Sequence, residues 1–244
     1  MKYIIELMKN WGRFIRNESR TSDSYIKWLR QKGVKIGENV LFRHPNHTII
    51  DFTRPSLVEI GDNVDFNDNF TLLTHDYGTF VFQNMKDEFI NSSGKVKIGN
   101  NIYFGRDVTV LKGVSIGDNC IIGLGSVVGR DVPANSVAVG NPCRVVCDIN
   151  DYYGKRKRMS VDEAIEYGVS IIERFDREPE IKDFTEEWNL FLSEDDYASH
   201  LEVRPYIDTR LRNREFFFAK ERPFESFAQF KKKVLQKYKE VNSK

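Results

Sequence analysis

Histidine is the side chain best suited to take and return a proton near neutral pH, and this chain has four. His75 ends the phrase Thr71-Leu72-Leu73-Thr74-His75. A short apolar run of that kind is a strand, so the imidazole stands where a rigid element stops, a fit position for a base that removes a hydroxyl proton. Asp76 follows it and points to the opposite side if the strand continues; no residue in the sequence declares itself as the group that orients the ring. A purely structural histidine is the plain alternative. His44 and His47 lie three residues apart, but a zinc hydrolase needs three converging ligands and His200 is remote in sequence. Both are therefore expected to be surface-loop histidines, with no metal. Asp51 and Arg54 pair a carboxylate with a guanidinium, which suits sugar hydroxyls or an anionic acceptor; an exposed ion pair explains them equally well. Arg130 and Arg144 could reach the phosphates of a nucleotide. The run Lys155-Arg156-Lys157-Arg158 is expected to be a solvated face.

What must hold these residues is a repeat. The phrase Ile-Gly-acid/amide-Asn occurs at Ile36, Ile60, Ile98 and Ile116. From the third copy onward Ile98, Phe104, Val110, Ile116, Ile122 and Val128 follow at intervals of six. Neither an α-helix nor an ordinary sheet has that period. A triangular coil of three short strands does, because each hexad then sends one apolar residue to the axis and residues eighteen apart stack. The spacing predicts Ile98 under Ile116, Phe104 under Ile122 and Val110 under Val128, about 4.8 Å apart. Asn101 and Asn119 fall at a corner, where asparagine tolerates left-handed backbone and can ladder its amides. Glycines 99, 105, 117 and 123 are expected to serve the same turns. The frame also holds at Ile60, Phe66 and Leu72, then breaks at residues 76–97. A smaller irregularity between Ile36 and Ile60 contains Asp51 and Arg54. Insertions in a repeat form loops on a binding face.

Lys and Arg total 37 against 36 Asp and Glu, so no overall field attracts nucleic acid. Three cysteines, Cys120, Cys143 and Cys147, make no disulfide framework and no zinc spacing, which fits a reducing cytoplasm. Residues 1–32 read as a helical cap, with Ser22 or Asp23 opening its second helix. Peripheral membrane contact is the alternative use of its basic and aromatic residues. No signal peptide or membrane span is expected. Beyond residue 149 the hexads stop. Ser160-Val161-Asp162-Glu163 is a capping-box pattern opening a helix, and a last helix is expected over residues 223–239.

Residues 33–149 resemble the left-handed β-helix, or hexapeptide-repeat, acyltransferases. The resemblance is carried by the hexads from Lys97 to Val128, by Asp131-Val132-Pro133 and by Val139-Gly140-Asn141-Pro142-Cys143-Arg144-Val145. Leu72-Leu73-Thr74-His75-Asp76-Tyr77 is similar to maltose-, galactoside- and capsular-polysaccharide-type O-acetyltransferases. The resemblance implies a mainly β fold, a left-handed parallel β-helix with helical extensions at residues 1–32 and 150–244. It implies a homotrimer, acetyl-CoA as co-substrate without metal, and a saccharide acceptor held in a cleft between subunits. His75 occupies the place of the family's general base, Tyr77 joins Asp51 and Arg54 at the acceptor, and a backbone N–H near Gly105 or Arg106 serves the oxyanion. Tyr103, Gly105, Arg106, Gly123, Leu124, Gly125 and Ser126 line the cofactor channel, with Arg130 and Arg144 on its phosphates. Tyr103 stands where the sugar-type members carry tryptophan, and Leu124 where they carry a smaller residue. N-acetylation of an amino sugar and a non-catalytic scaffold are the competing functions.

Overall fold

The structure is a computed structural model in which residues 21–193, 196 and 222–243 are described. It divides into two compact units between Tyr152 and Tyr153.

The first unit is a parallel β-helix with three faces. One face stacks Lys35–Ile36, Val58–Ile60, Val96–Ile98 and Ser115–Ile116. The second stacks Leu41–Phe42, Val64–Phe66, Ile102–Phe104, Cys120–Ile122 and Ser136–Val139, and is closed by the antiparallel Arg144–Asp148. The third stacks Ile49–Ile50, Thr71–Leu72, Thr109–Val110 and Val127–Val128. The register is the one the hexads demand: Ile98 pairs with Ile116, Phe104 with Ile122 and Val110 with Val128. Across the long insertion the stacking survives, with Ile60 beside Ile98, Phe66 beside Phe104 and Leu72 beside Val110. The insertion thus adds chain without shifting the phase of the coil.

Inside, the rings of Phe42, Phe66 and Phe104 stack with centroids 4.6 and 5.0 Å apart and nearly parallel planes. Each is essentially fully buried, which stabilises the coil by roughly 1.5–3 kcal/mol per ring. Outside, the corner asparagines have left-handed backbone, φ 55° at Asn101 and 57° at Asn119. The Asn101 amide donates to Asn119 Oδ1 at 2.9 Å, and Asn119 donates in turn to Asn135 at 2.9 Å. The repeat glycines work differently from the expectation. Gly99 and Gly105 do not have positive φ; they are needed because successive coils touch. A Cβ at Gly105 would lie 2.6 Å from the Leu124 backbone nitrogen, a distance no side chain tolerates.

Helix α1, Ser22–Lys32, packs on the first coil: the Tyr25 hydroxyl donates to Thr48 O at 3.1 Å and accepts from the Ile50 N–H at 3.3 Å. Its N-cap is Thr21, whose hydroxyl accepts from the Ser24 N–H at 3.2 Å, one residue earlier than expected. The rest of the proposed cap, residues 1–20, and His200 lie outside the described residues. The insertion holds helix α2, Thr79–Lys86, and its base is an antiparallel pair, His75–Asp76 with Ser92–Ser93.

Helix α3 runs unbroken over Ile149–Phe175, so Ser160 lies inside a helix that starts eleven residues earlier, and its hydroxyl bonds back to Lys157 O at 3.3 Å. The capping-box expectation fails because the preceding basic run is itself helical. Arg156 in that run makes a two-pronged pair with Glu163, both contacts at 2.7 Å. The second unit has its own core, in which Ile165 and Val169 of α3 join Phe184, Phe191 and the α4 residues Phe230 and Val234, α4 being Phe227–Asn242. Among the described residues no helix is long and apolar enough to cross a membrane.

Candidate active site

Two adjacent coils leave the third face side by side. Ile50 pairs with Leu72, and the Asp51 N–H donates to Leu72 O at 3.0 Å, which carries the Asp51 side chain beneath Thr74 and His75. The Asp51 carboxylate then lies 2.6 Å from His75 Nδ1. Asp51 is buried, its side chain 4% exposed, while that of His75 is 28% exposed. The ring is thus anchored from below and open from above. Nε2 has no hydrogen-bond partner among the described residues.

Four further donors hold the carboxylate. Thr53 gives its N–H at 3.0 Å and its hydroxyl at 2.6 Å to Oδ1. Thr74 gives its N–H at 3.1 Å and its hydroxyl to Oδ2. Burial by itself would raise the carboxyl pKa, but the hydrogen bonds from the Thr53 and Thr74 side chains and backbone outweigh it and hold the group well below the usual carboxylate range. Asp51 is therefore a fixed anion. An ionised carboxylate only accepts, so His75 carries its proton on Nδ1 and presents the lone pair of Nε2 outward.

This changes the role expected for Asp51. With both oxygens taken by Thr53, Thr74 and His75, it is not free to meet an acceptor; it is the orienting partner that the sequence did not reveal. Thr53 and Thr74 were also missed. Asp51-x-Thr53 is a local side-chain-to-backbone turn pattern and could have been noticed; Thr74 could not, because its contact crosses coils. Arg54 stands three residues beyond Asp51, partly buried, with Nη1 enclosed and unpaired among the described residues, so the alternative of an Arg54 ion pair with Asp51 does not hold. Tyr77 is exposed at the start of the insertion. Asp76 turns away from His75, as expected, and bonds to Lys112 of the next coil, which also bonds to Ser92. One lysine thus ties both strands of the loop base to the coil above.

The remaining predicted residues lie elsewhere on the coil. Tyr103 faces outward from the second face, its hydroxyl accepting from Asn67 Nδ2 at 3.0 Å. Gly105, Arg106, Gly123, Leu124 and Gly125 form the corner that follows this face, whereas His75 is at the corner that follows the third. Within one chain the two groups are not brought together. At their corner Leu124 is 69% exposed, and the glycines leave bare backbone on either side of it. Gly125 has φ 68° with nothing within 4 Å of where a Cβ would stand. Such an apolar ledge with open backbone fits a thin, flexible arm such as pantetheine. Ser126 does not fit: it is buried, donating to Gly123 O at 2.6 Å and accepting from the Gly140 N–H at 3.1 Å, so it closes the last coil and does not line a channel. The Gly105 N–H is spent on Ile122 O at 2.8 Å and is unavailable to an oxyanion. Arg106 pairs with Asp68 at 2.9 Å. Arg130 is exposed, and Arg144, also exposed, bonds to Cys143 O at 2.7 Å. His44 and His47 are on the surface as expected, but Asp68 of the next coil approaches them, with Oδ1 2.7 Å from His47 Nδ1.

Comparison with known proteins places the repeat. Residues 95–130 match the bacterial transferase hexapeptide (six repeats). The chain is 41% identical to the galactoside O-acetyltransferase of Escherichia coli K12 over 126 residues, half of this chain and 59% of that protein. It is 36% identical to the galactoside O-acetyltransferase of Lactococcus lactis over 138 residues, 55% of this chain and 64% of that protein. The chain thus spans less than two thirds of the curated relatives it matches. A maltose O-acetyltransferase structure from Clostridium difficile 630 is 30% identical, with TM-score 0.42, over 59% of this chain and 85% of that one. A galactoside acetyltransferase solved in complex with coenzyme A is also 30% identical, with TM-score 0.43, over 56% of this chain and 76% of that one.

Proposed function

We propose, from the premise that residues 95–130 are a bacterial transferase hexapeptide repeat, that this protein transfers acetyl from acetyl-CoA to a hydroxyl of a saccharide. The observation that carries the reading is the Asp51–His75 dyad: a buried anion 2.6 Å from Nδ1 with Nε2 open. The names of the two curated relatives, both sugar O-acetyltransferases, support the acceptor class. Acetyl-CoA as donor follows from the family that the sequence resembles, and the Leu124 ledge accommodates it.

In this reading Nε2 of His75 takes the acceptor's hydroxyl proton as its oxygen bonds to the thioester carbon. The carbon–sulfur bond breaks, and the proton passes from the imidazolium to the leaving thiolate. Asp51 fixes the tautomer and stabilises the imidazolium while it exists. Transfer is direct, and no residue of the dyad is acylated. With the Gly105 N–H committed to the coil, the Arg106 N–H remains the backbone donor for charge developing on the carbonyl oxygen. Arg54 and Tyr77 serve the acceptor, and Arg130 and Arg144 the nucleotide phosphates. Because His75 and the Leu124 ledge lie at different corners, the complete site joins the dyad of one copy to the ledge of another. The resemblance to the left-handed β-helix acyltransferases supports a homotrimer as that assembly.

The test is incubation of the purified protein with acetyl-CoA and a panel of oligosaccharides, following thiol release and the mass of the product. An ester product from wild type and none from His75→Ala is expected. Thiol release that is indifferent to His75, or acetylation of amino sugars alone, overturns the reading.

A further inference from the structure

We propose that His44, His47 and Asp68 form a binding site for a divalent transition-metal ion of the zinc or nickel class, on the outer surface of the first two coils. This is the one such cluster among the described residues, and its three ligating atoms lie within 4.8 Å of one another. It stands at the corner after the second face, the corner that also carries Arg106 and Leu124 and a different one from that of His75.

The local backbone presents the ligands. His44 precedes a short 3-10 turn, Pro45–His47, whose proline is buried. The turn is closed by His47 N–H donating to His44 O at 3.0 Å and by the Thr48 hydroxyl donating to the same oxygen at 3.0 Å. The two imidazoles therefore lie face to face, 5.9 Å apart and 13° from parallel. Asp68 comes from the next coil. Its Oδ1 is beside His47 Nδ1, while its Oδ2 accepts from Arg106 Nη2 at 2.9 Å. That guanidinium orients the carboxylate from outside, as second partners do at metal sites.

Two imidazoles and one carboxylate are a ligand set for zinc, nickel or copper. One carboxylate, already shared with an arginine, offers too few oxygens for calcium or magnesium. Ligand atoms around a zinc ion, each about 2 Å from it, stand roughly 3 Å from one another. The His47–Asp68 pair has that spacing already, and His44, exposed, closes on it by turning its ring. Binding through Nδ1 displaces the hydrogen that now joins His47 to Asp68, and the neutral ring then carries that proton on Nε2. The histidines come from the first coil and the aspartate from the second, so a bound ion staples the two coils.

The test is calorimetric titration of the full chain, freed of metal by chelator, with zinc chloride, alongside melting temperature with and without zinc. Expected are one equivalent bound per chain, a higher melting temperature with zinc, and at least tenfold weaker binding for both His44→Ala and His47→Ala. Both substitutions are at exposed positions, and their metal-free melting temperatures serve as the check on folding. His75→Ala should bind zinc as wild type does. Absence of binding, or binding lost in His75→Ala and retained in His44→Ala and His47→Ala, overturns the proposal. The reading of the Asp51–His75 dyad stands or falls separately, because acetyl transfer is measured in the presence of chelator.

Discussion

At the scale of the residue, the chemistry rests on one imidazole and the anion behind it. His75→Ala is expected to lower acetyl transfer by about a hundredfold or more, the usual scale for a general base, without changing the melting temperature or coenzyme A affinity; steady-state kinetics and calorimetry check this. Asp51→Asn tests the partner. An amide can donate to Nδ1 and so force the proton onto Nε2, where it blocks base catalysis, so a loss on the order of a hundredfold is expected with the fold retained. The depressed pKa of Asp51 also has a sign. A carboxyl whose folded pKa lies below its unfolded value, about 3.9, contributes stability that is fully present above that value and lost as pH falls through the lower folded one. Acid unfolding followed by circular dichroism should therefore show the advantage of wild type over Asp51→Asn intact above about pH 4 and shrinking progressively as the pH falls below it. A constant difference between the two down to the lowest pH would show that Asp51 is not held as an anion.

At the scale of the element, the coil is held by columns. Ile122 lies between Phe104 and Ala138 in register and is fully buried. Ile122→Asp places a carboxylate there with no partner, at a cost of several kcal/mol; failure to recover soluble folded protein is the expected outcome, and a normally folded variant would mean the side chain faces outward. These columns were legible because the hexad period is a property of sequence alone. The reason for the glycines was not. At Gly105 the constraint is the backbone of Leu124, nineteen residues on and one coil away, and sequence shows that a residue is small without showing what it would strike. Helix starts were misplaced for a related reason: capping signals are local, and α3 begins where the closing strand Arg144–Asp148 ends.

At the scale of the whole molecule, the insertion ends at residue 95, two residues earlier than expected because Val96 and Lys97 already pair with Val58 and Glu59 in the coil, and it presents Tyr77, Phe80, Phe82 and Phe89 exposed on their own chain. An apolar surface of that kind needs a cover, and a second copy of the chain supplies one in the proposed assembly. Replacing residues 77–93 with a short Gly-Ser linker should leave the columns intact, abolish transfer and weaken acceptor binding more than coenzyme A binding. Thermal melting, kinetics and calorimetry on the one variant decide it, and ordinary turnover would show the loop to be dispensable.

The sequence by itself determined the coil, its phase, its two interruptions and the place of His75, because each follows from a short repeat or from position within it. What only the tertiary structure decided is which side chains meet across coils. Asp51 precedes His75 by twenty-four residues, and the intervening chain is a full turn of the helix plus an irregular loop, so no spacing rule joins them. Once Ile50 is in register with Leu72, the next residues converge without further choice. Asp68 reaches His47 in the same way, from the neighbouring coil. A repeat fixes the address of every residue along the coil, but the contacts that make chemistry run between addresses, and only the folded chain sets those.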